Sequence, residues 1–169
     1  MSERLKQIGL DRLVRLAWLE KVSTLVLAAN DTKTIKSILQ DELAGAFRSA
    51  NKDVRGSLDK TITILLKIWL QPPKNLKSLR DEGLELLKRN SSVERMVIHW
   101  GMISAVYPFW SSVAAQIGRL LRLQGTVTSV QIQRRIREQY GERETVSRRA
   151  RYIIRSFLDW GVLLETERK

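Results

Sequence analysis

Apolar residues recur at helical spacing along almost all of this sequence, and no stretch sustains the apolar–polar alternation of an amphipathic strand. The Gln-Pro-Pro stretch at 71–73 is its one proline-rich stop. A chain of 169 residues with this pattern buries a core by packing helix against helix. The sequence therefore predicts an all-α fold.

Capping signals divide the pattern into eight predicted helices. Ser91 and Glu94 have the spacing of a capping box. Thr128 and Gln131 repeat that spacing, and Gly125 is expected just past the end of a helix. The predicted helices cover residues 10–29, 33–49, 56–70, 78–90, 92–107, 109–124, 128–140 and 145–160.

Charge is the compositional outlier, since thirty Lys and Arg oppose eighteen Asp and Glu, for a formal net charge of +12. Such a surface attracts polyanions, which leaves nucleic acid, an anionic membrane and an acidic protein open as partners. The absence of cysteine excludes disulfides, thiol catalysis and cysteine-ligated zinc. Residues 1–21 lack the apolar run of a secretory signal. These features favour a cytoplasmic protein.

One segment is long enough to test for a membrane span. No Asp, Glu, Lys or Arg occurs between Arg95 and Arg119. The run nevertheless contains His99 and several serines, and Tyr107-Pro108 would break a helix near its middle. We expect two buried helices joined at this point and no membrane span.

The stretch "ETVSRRARYIIRSFLDWG" at 144–161 predicts a strongly amphipathic helix. Its expected buried side carries six apolar residues: Val146, Ala150, Ile153, Ile154, Phe157 and Leu158. The opposite side carries Arg148, Arg151 and Arg155, with Tyr152 among them and Thr145 at its start. Fixed positive charge along one helix face is typical of a surface that meets a polyanion.

From residue 109 the predicted order is helix, short extended piece at 126–128, helix, turn, helix and extended piece at 162–165. With the segments "TVTSVQIQRRI" and "TVSRRARYIIRSFLDWGVL", this order resembles the winged helix-turn-helix superfamily over residues 109–166. We therefore expect an N-terminal helical bundle (1–90) followed by a helical hairpin that leads into a winged-helix-like tri-helical unit with minimal β-strands (91–169). The sequence also departs from the family pattern. A full wing needs a hairpin of two strands, and only one extended piece is predicted after the last helix.

In this arrangement the helix at 145–160 occupies the recognition position and would lie in a DNA major groove. The preceding helix should turn Val130, Ile132 and Ile136 inward and its arginines outward, where they would assist on the DNA backbone. The predicted DNA-binding residues are Thr145, Arg148, Arg149, Arg151, Tyr152, Arg155, Arg134, Arg135 and Arg137.

A more distant resemblance covers most of the chain. "LRDEGLELLKRNSSVERMVIHWGMISAVYPFWSSVAAQIGRLL" and "RRARYIIRSFLDWGVL" are similar to BrxA-family proteins of BREX bacteriophage-defence systems. The shared features are scattered residues, including the Tyr-Pro-Phe at 107–109, and no functional residue carries over from them. The resemblance implies a small helical DNA-binding protein without catalytic residues, with other defence-system proteins as partners.

The sequence lacks the patterns that would indicate an enzyme. It has no P-loop and no glycine-rich dinucleotide fingerprint, and its single histidine, His99, lies in an apolar helix without a nucleophile elbow. We expect His99 to donate to a backbone carbonyl. Asp81, Glu82 and Glu85 are interpreted as a solvated face, not as metal ligands. The five tryptophans are expected in the core, with Trp69 a weak candidate for stacking on a base.

Together these features predict a non-enzymatic protein that binds double-stranded DNA and needs no cofactor or metal. Two alternatives stay open: an adaptor whose basic face meets an acidic protein in a larger complex, and a helical RNA-binding protein. The sequence indicates neither a preferred DNA site nor an oligomeric state.

Overall fold

The computed structural model describes residues 8–47 and 54–166. Within these ranges the chain forms eight α-helices and no β-strand, which confirms the all-α prediction. The helices are α1 (Leu16–Leu27), α2 (Thr32–Leu43), α3 (Val54–Trp69), α4 (Lys77–Arg89), α5 (Ser92–Val106), α6 (Pro108–Gln124), α7 (Ser129–Tyr140) and α8 (Glu144–Asp159). Short 3₁₀ turns follow α2 at Ala44–Phe47 and precede α4 at Lys74–Leu76.

The extended pieces predicted at 126–128 and 162–165 do not pair as strands. Their backbone N–H groups serve helix ends instead. The Thr128 N–H donates to Gln131 Oε1 at 2.8 Å, within a complete capping box at the start of α7. After α8, Gly161 adopts a φ of 70°, and the N–H of Val162 donates to the Phe157 carbonyl at 2.9 Å, as in a Schellman motif. The prediction of minimal β-strands is therefore wrong for the described residues.

The helices group into two compact units. One unit runs from Leu16 to Val106 and contains α1 to α5. The other, which we call the C-terminal unit, combines α6 to α8 with the segment that precedes α1. The predicted boundary between residues 90 and 91 differs from this grouping, because it assigned α5 to the C-terminal part.

In the α1–α5 unit, the apolar stripes of the helices converge on a common core. Its fully buried side chains include Leu19, Val22, Ile35, Leu39, Leu65, Ile68, Trp69, Leu87 and Ile103. Asp31 caps α2 by accepting from the N–H groups of Lys33 and Thr34, at 2.8 and 3.0 Å. A Cβ at Gly83 would lie 3.1 Å from the Trp69 ring, so glycine allows α4 to pass close to that indole. Trp69 is buried and therefore cannot stack on a base.

A polar network crosses this core. The indole N–H of Trp69 donates to His99 Nδ1 at 3.0 Å, which places the proton of the neutral ring on Nε2. That nitrogen lies 3.2 Å from Glu20 Oε1. Arg95 donates to both oxygens of Glu20 and to the Leu87 carbonyl. His99 is thus fully buried and structural, but the prediction that it donates to a backbone carbonyl is wrong.

Lowering the pH from 7 to 4 is expected to destabilise the α1–α5 unit by about 3 kcal/mol. Burial lowers the pKa of His99 from 6.5 to about 4, so the folded protein keeps the ring neutral while the unfolded chain takes up a proton. The stabilisation is present above pH 6.5 and is lost as the pH falls toward 4. Partial burial raises the pKa of Glu20. The hydrogen bonds from Arg95 and the positive charge of that guanidinium outweigh the effect of burial and lower the pKa of Glu20 overall. Glu20 therefore also loses stabilisation as the pH falls.

Denaturant unfolding of the wild type and of a His99→Asn variant, each at pH 7 and pH 4, measures this effect. The variant lacks the titrating group and should lose distinctly less stability than the wild type between the two pH values. An equal loss in both proteins would contradict the assignment to His99.

In the C-terminal unit, α6, α7 and α8 pack around a second apolar core. The Trp110 and Phe157 rings meet edge to face with their centroids 4.7 Å apart, and Phe109 meets Tyr140 in the same way at 5.0 Å. The Tyr140 hydroxyl lies 2.6 Å from Ser112 Oγ, so its polar end is satisfied. These contacts fix the positions of the helices that carry the exposed arginines.

One predicted core residue of this unit faces solvent. Ile132 and Ile136 are buried as predicted, but Val130 is 72% exposed. Val130 lies about 200° from Ile132 around the helix axis, so the two cannot share a face. The prediction for Val130 was wrong because it counted apolar residues without considering their angular positions around the helix axis.

The segment before α1 is not helical, in contrast to the helix predicted from residue 10. Leu10 and Val14 are buried against the C-terminal unit. The Val14 N–H donates to Ser156 Oγ at 3.0 Å, and its carbonyl accepts the Trp160 indole N–H at 2.9 Å. We call residues 8–15 the strap. The backbone groups of Val14 bond α8 and Trp160, which leaves them unavailable to a helix.

The uncharged run of the sequence is divided as predicted. Tyr107 separates α5 from α6, and Pro108 is the first residue of α6, where its missing N–H costs no hydrogen bond. Across residues 8–47 and 54–166, no helix has the length and apolarity needed to cross a bilayer.

Candidate nucleic-acid interface

The two most arginine-rich helices follow each other across a tight turn. Residues 141–143 join α7 to α8, and Gly141 adopts a φ of 95°, a backbone conformation that favours glycine. The Gly141 N–H donates to the Arg137 carbonyl at 2.8 Å and closes the end of α7. The turn between α7 and α8 is three residues long, a length that also occurs in helix-turn-helix motifs.

The solvent side of α8 carries the predicted basic residues. Arg148, Arg151 and Arg155 are exposed, Thr145 is exposed at the start of the helix, and Tyr152 is half-buried. On the opposite side Val146, Ala150, Ile153, Ile154 and Phe157 are buried and Leu158 is half-buried, which confirms the predicted orientation. We call Thr145, Arg148, Arg151, Tyr152 and Arg155 the α8 face.

The arginines of the α8 face differ in their ion pairing. Arg151 donates to Glu144 Oε1 at 2.8 Å across two helical turns. Arg148 and Arg155 form no ion pair with any described acidic residue. These two guanidinium groups therefore offer their full charge and all their donors to an external anion.

The α7 arginines point in different directions, and each meets an acid. Arg134 and Arg135 both lie 3.2 Å from Glu138, and Arg137 lies 3.6 Å from Glu142 in the turn. Exposed pairs of this kind contribute about 0–1 kcal/mol, so a phosphate can displace the carboxylate. The α7 arginines nevertheless start from a neutralised state, which the sequence pattern did not reveal.

Arg149 does not belong to the α8 face. It lies about 100° around the helix from Arg148, is partly buried, and donates to the Ile8 carbonyl of the strap. Its prediction as a DNA contact fits this environment poorly, because the guanidinium holds backbone in place. Arginine count alone cannot distinguish such a residue from its exposed neighbours.

Three further arginines of the C-terminal unit were missed by the sequence interpretation. Arg15 of the strap lies 2.7 Å from Asp159 at the end of α8. Arg119 and Arg122 lie on the outer side of α6 and form no ion pair with a described acid. The sequence signal for Arg119 and Arg122 was their spacing of three residues at the end of an otherwise uncharged run, which is typical of a shared helix face.

The described residues hold neither a metal-ligand cluster nor an accessible histidine. No group of three or more His, Asp or Glu side chains among them could hold a metal ion. His99 is fully buried and engaged with Trp69 and Glu20. What the C-terminal unit presents is a row of guanidinium groups, which bind anions by charge and by paired hydrogen bonds.

Comparisons with protein-family models, curated proteins and solved structures give no match for this chain. Its relationship to the winged helix-turn-helix superfamily and to BrxA-like proteins stays a prediction.

Proposed function

We propose that this protein binds double-stranded DNA through the α8 face and catalyses no reaction. The observation that carries the proposal is the pair Arg148 and Arg155. Both are exposed, neither is paired with a described acid, and they lie two turns apart on a helix that follows a tight turn. The two acids of α8 are engaged by other arginines, Glu144 by Arg151 and Asp159 by Arg15.

The major groove of B-DNA is about 12 Å wide and admits one α-helix. An α8 seated there would direct Arg148 and Arg151 toward base edges, where a guanidinium pairs with guanine O6 and N7. Thr145, Tyr152 and Arg155 lie along the same face and suit contacts to phosphate oxygens. Arg137, next to the turn, would exchange its carboxylate partner Glu142 for a phosphate.

Duplex affinity should fall steeply with salt. Neutralising about six phosphates gives a slope of log affinity against log salt of about −5. Fluorescence anisotropy with a random duplex, repeated from low to moderate salt, measures the slope. An affinity that stays flat over this range would contradict an electrostatic interface.

Competition separates DNA from the alternative partners. Labelled duplex DNA bound to the protein is challenged with unlabelled duplex DNA, duplex RNA or an acidic polypeptide. We expect DNA to compete best, because α8 fits a wide major groove and the major groove of RNA is deep and narrow. Stronger competition by RNA or by the polypeptide would favour the RNA-binding or adaptor alternative. Cleavage of DNA by the pure protein with added magnesium would contradict the non-enzymatic proposal.

The resemblance to BrxA-like proteins suggests a setting for this activity. A cytoplasmic role beside other phage-defence proteins fits a small DNA-binding protein without catalytic residues. Pull-down of the tagged protein from phage-challenged cells, with and without nuclease treatment, would distinguish protein partners from neighbours on the same DNA.

A further inference from the structure

A second group of cationic and amide side chains lies at the seam between α6 and α7. A shallow basin of about 350 Å³ is lined there by Gln116, Arg119, Arg135, Glu138 and Gln139. The Gln116 amide donates to Gln139 Oε1 at 3.2 Å, which ties the two helices together within the lining of the basin. Arg122 follows Arg119 one turn further along α6.

The charge of this surface is unbalanced. Arg119 and Arg122 have no acidic partner among the described residues, and Glu138 already shares its carboxylate between Arg134 and Arg135. Guanidinium and amide donors around an open basin match the oxygens of a phosphate diester. We call Gln116, Arg119, Arg122, Arg135 and Gln139 the α6 face.

The α6 face and the α8 face point in opposite directions. Each of the three helices packs against the other two, so in cross-section they form a triangle. The buried stripe of α8 faces α6 and α7, and its arginines therefore point away from both. The basin opens on the outer side of the α6–α7 seam, which is the edge of the triangle opposite α8. A duplex lying on the α8 face cannot reach the basin without bending around the unit.

We infer that the α6 face binds a second DNA duplex, so that one protein molecule bridges two duplexes. The inference rests on the proposed binding of DNA by the α8 face and extends it to a further function. Two cationic faces on opposite sides of a small unit cannot serve one straight duplex. They suit the joining of two DNA segments.

A bridging assay tests the inference. One duplex carries biotin and is immobilised on beads, the protein is bound to it, and a fluorescent duplex is then added. We expect the wild type to capture the fluorescent duplex and Arg119→Ala/Arg122→Ala to lose about tenfold or more of that capture. The variant should bind the immobilised duplex within about threefold of wild type, because a charge on the far side is screened. Its melting temperature verifies the fold.

Lys33→Ala/Lys36→Ala is the matched control. It removes two exposed cations at the same spacing from α2, in the other unit, and should bridge like the wild type. If the wild type binds the immobilised duplex but captures no second one, or if Arg119→Ala/Arg122→Ala captures as well as the wild type, the inference is wrong and the proposed function stands. The latter result would indicate a dimer that bridges through two α8 faces. If the wild type binds no immobilised duplex, the proposed function fails as well.

Discussion

Replacing Arg148, Arg151 and Arg155 together with alanine is expected to weaken duplex binding at least about a hundredfold. Each arginine contributes about 1 kcal/mol at a phosphate or about 1–3 kcal/mol at a base edge, and a factor of ten in affinity corresponds to about 1.4 kcal/mol. Three such losses therefore remove two or more orders of magnitude. Arg148 should carry the largest share, since it lies at a base edge in the proposed complex and breaks no ion pair on binding.

The same substitutions should leave folding almost unchanged. All three side chains are exposed, and the ion pair between Arg151 and Glu144 is a surface pair that contributes little to stability. Alanine is the best helix former, so the exposed side of α8 loses no helical preference. Thermal melts of the variant should match the wild type closely.

Lys33→Ala/Lys36→Ala/Lys60→Ala is the control for total charge. It removes three exposed cations from α2 and α3 and should bind DNA nearly as well as the wild type. If the arginine variant melts like the wild type and still binds with full affinity, α8 is not the DNA-binding helix. An equal loss in the lysine control would indicate attraction by net charge alone.

Phe157→Ala is expected to destabilise the C-terminal unit by about 3–5 kcal/mol. The Phe157 ring is 1% exposed and packs edge to face on Trp110. Truncation removes buried apolar surface and leaves a cavity that helices fixed by other contacts cannot close. Urea unfolding followed by tryptophan fluorescence measures the loss, because Trp110 reports directly on the altered site.

Arg155→Ala, two residues away on the exposed side of the same helix, is the control and should change stability by less than about 0.5 kcal/mol. The two variants should separate folding from binding. Phe157→Ala should bind DNA in proportion to its folded fraction, whereas Arg155→Ala should fold normally and bind weakly. A Phe157→Ala protein as stable as the wild type would mean that the apolar side of α8 does not support the core.

Local signals predicted most of the helices. The capping box of Thr128 and Gln131 starts α7, Gly125 ends α6, and Pro108 separates α5 from α6, all as the sequence indicated. These signals succeed because they depend on residues within one or two turns. The exposure of the α8 arginines was predictable for the same reason, since the period of a helix fixes which side chains share a face.

What the sequence could not indicate depends on residues far apart in the chain. The strap has the apolar spacing of a helix start, but its backbone bonds to Ser156 and Trp160 override that local preference. In the sequence Arg149 cannot be distinguished from the neighbouring arginines, because its hydrogen bond to the Ile8 carbonyl forms only in the folded chain. The pairing of His99 with Trp69 and Glu20 joins three helices, and no local spacing predicts it.

The strap also affects the order in which the chain folds during synthesis. Val14 bonds Ser156 and Trp160 at sequence separations of 142 and 146 residues, so the ribosome must pass residue 160 before both contacts can form. The α1–α5 unit lies between these partners in the chain and is complete much earlier. Contacts with such large sequence separation form late, because closing the loop costs conformational entropy before the contacts add any stabilisation. The nascent chain therefore emerges with the strap undocked, and the proposed DNA-binding unit is assembled last.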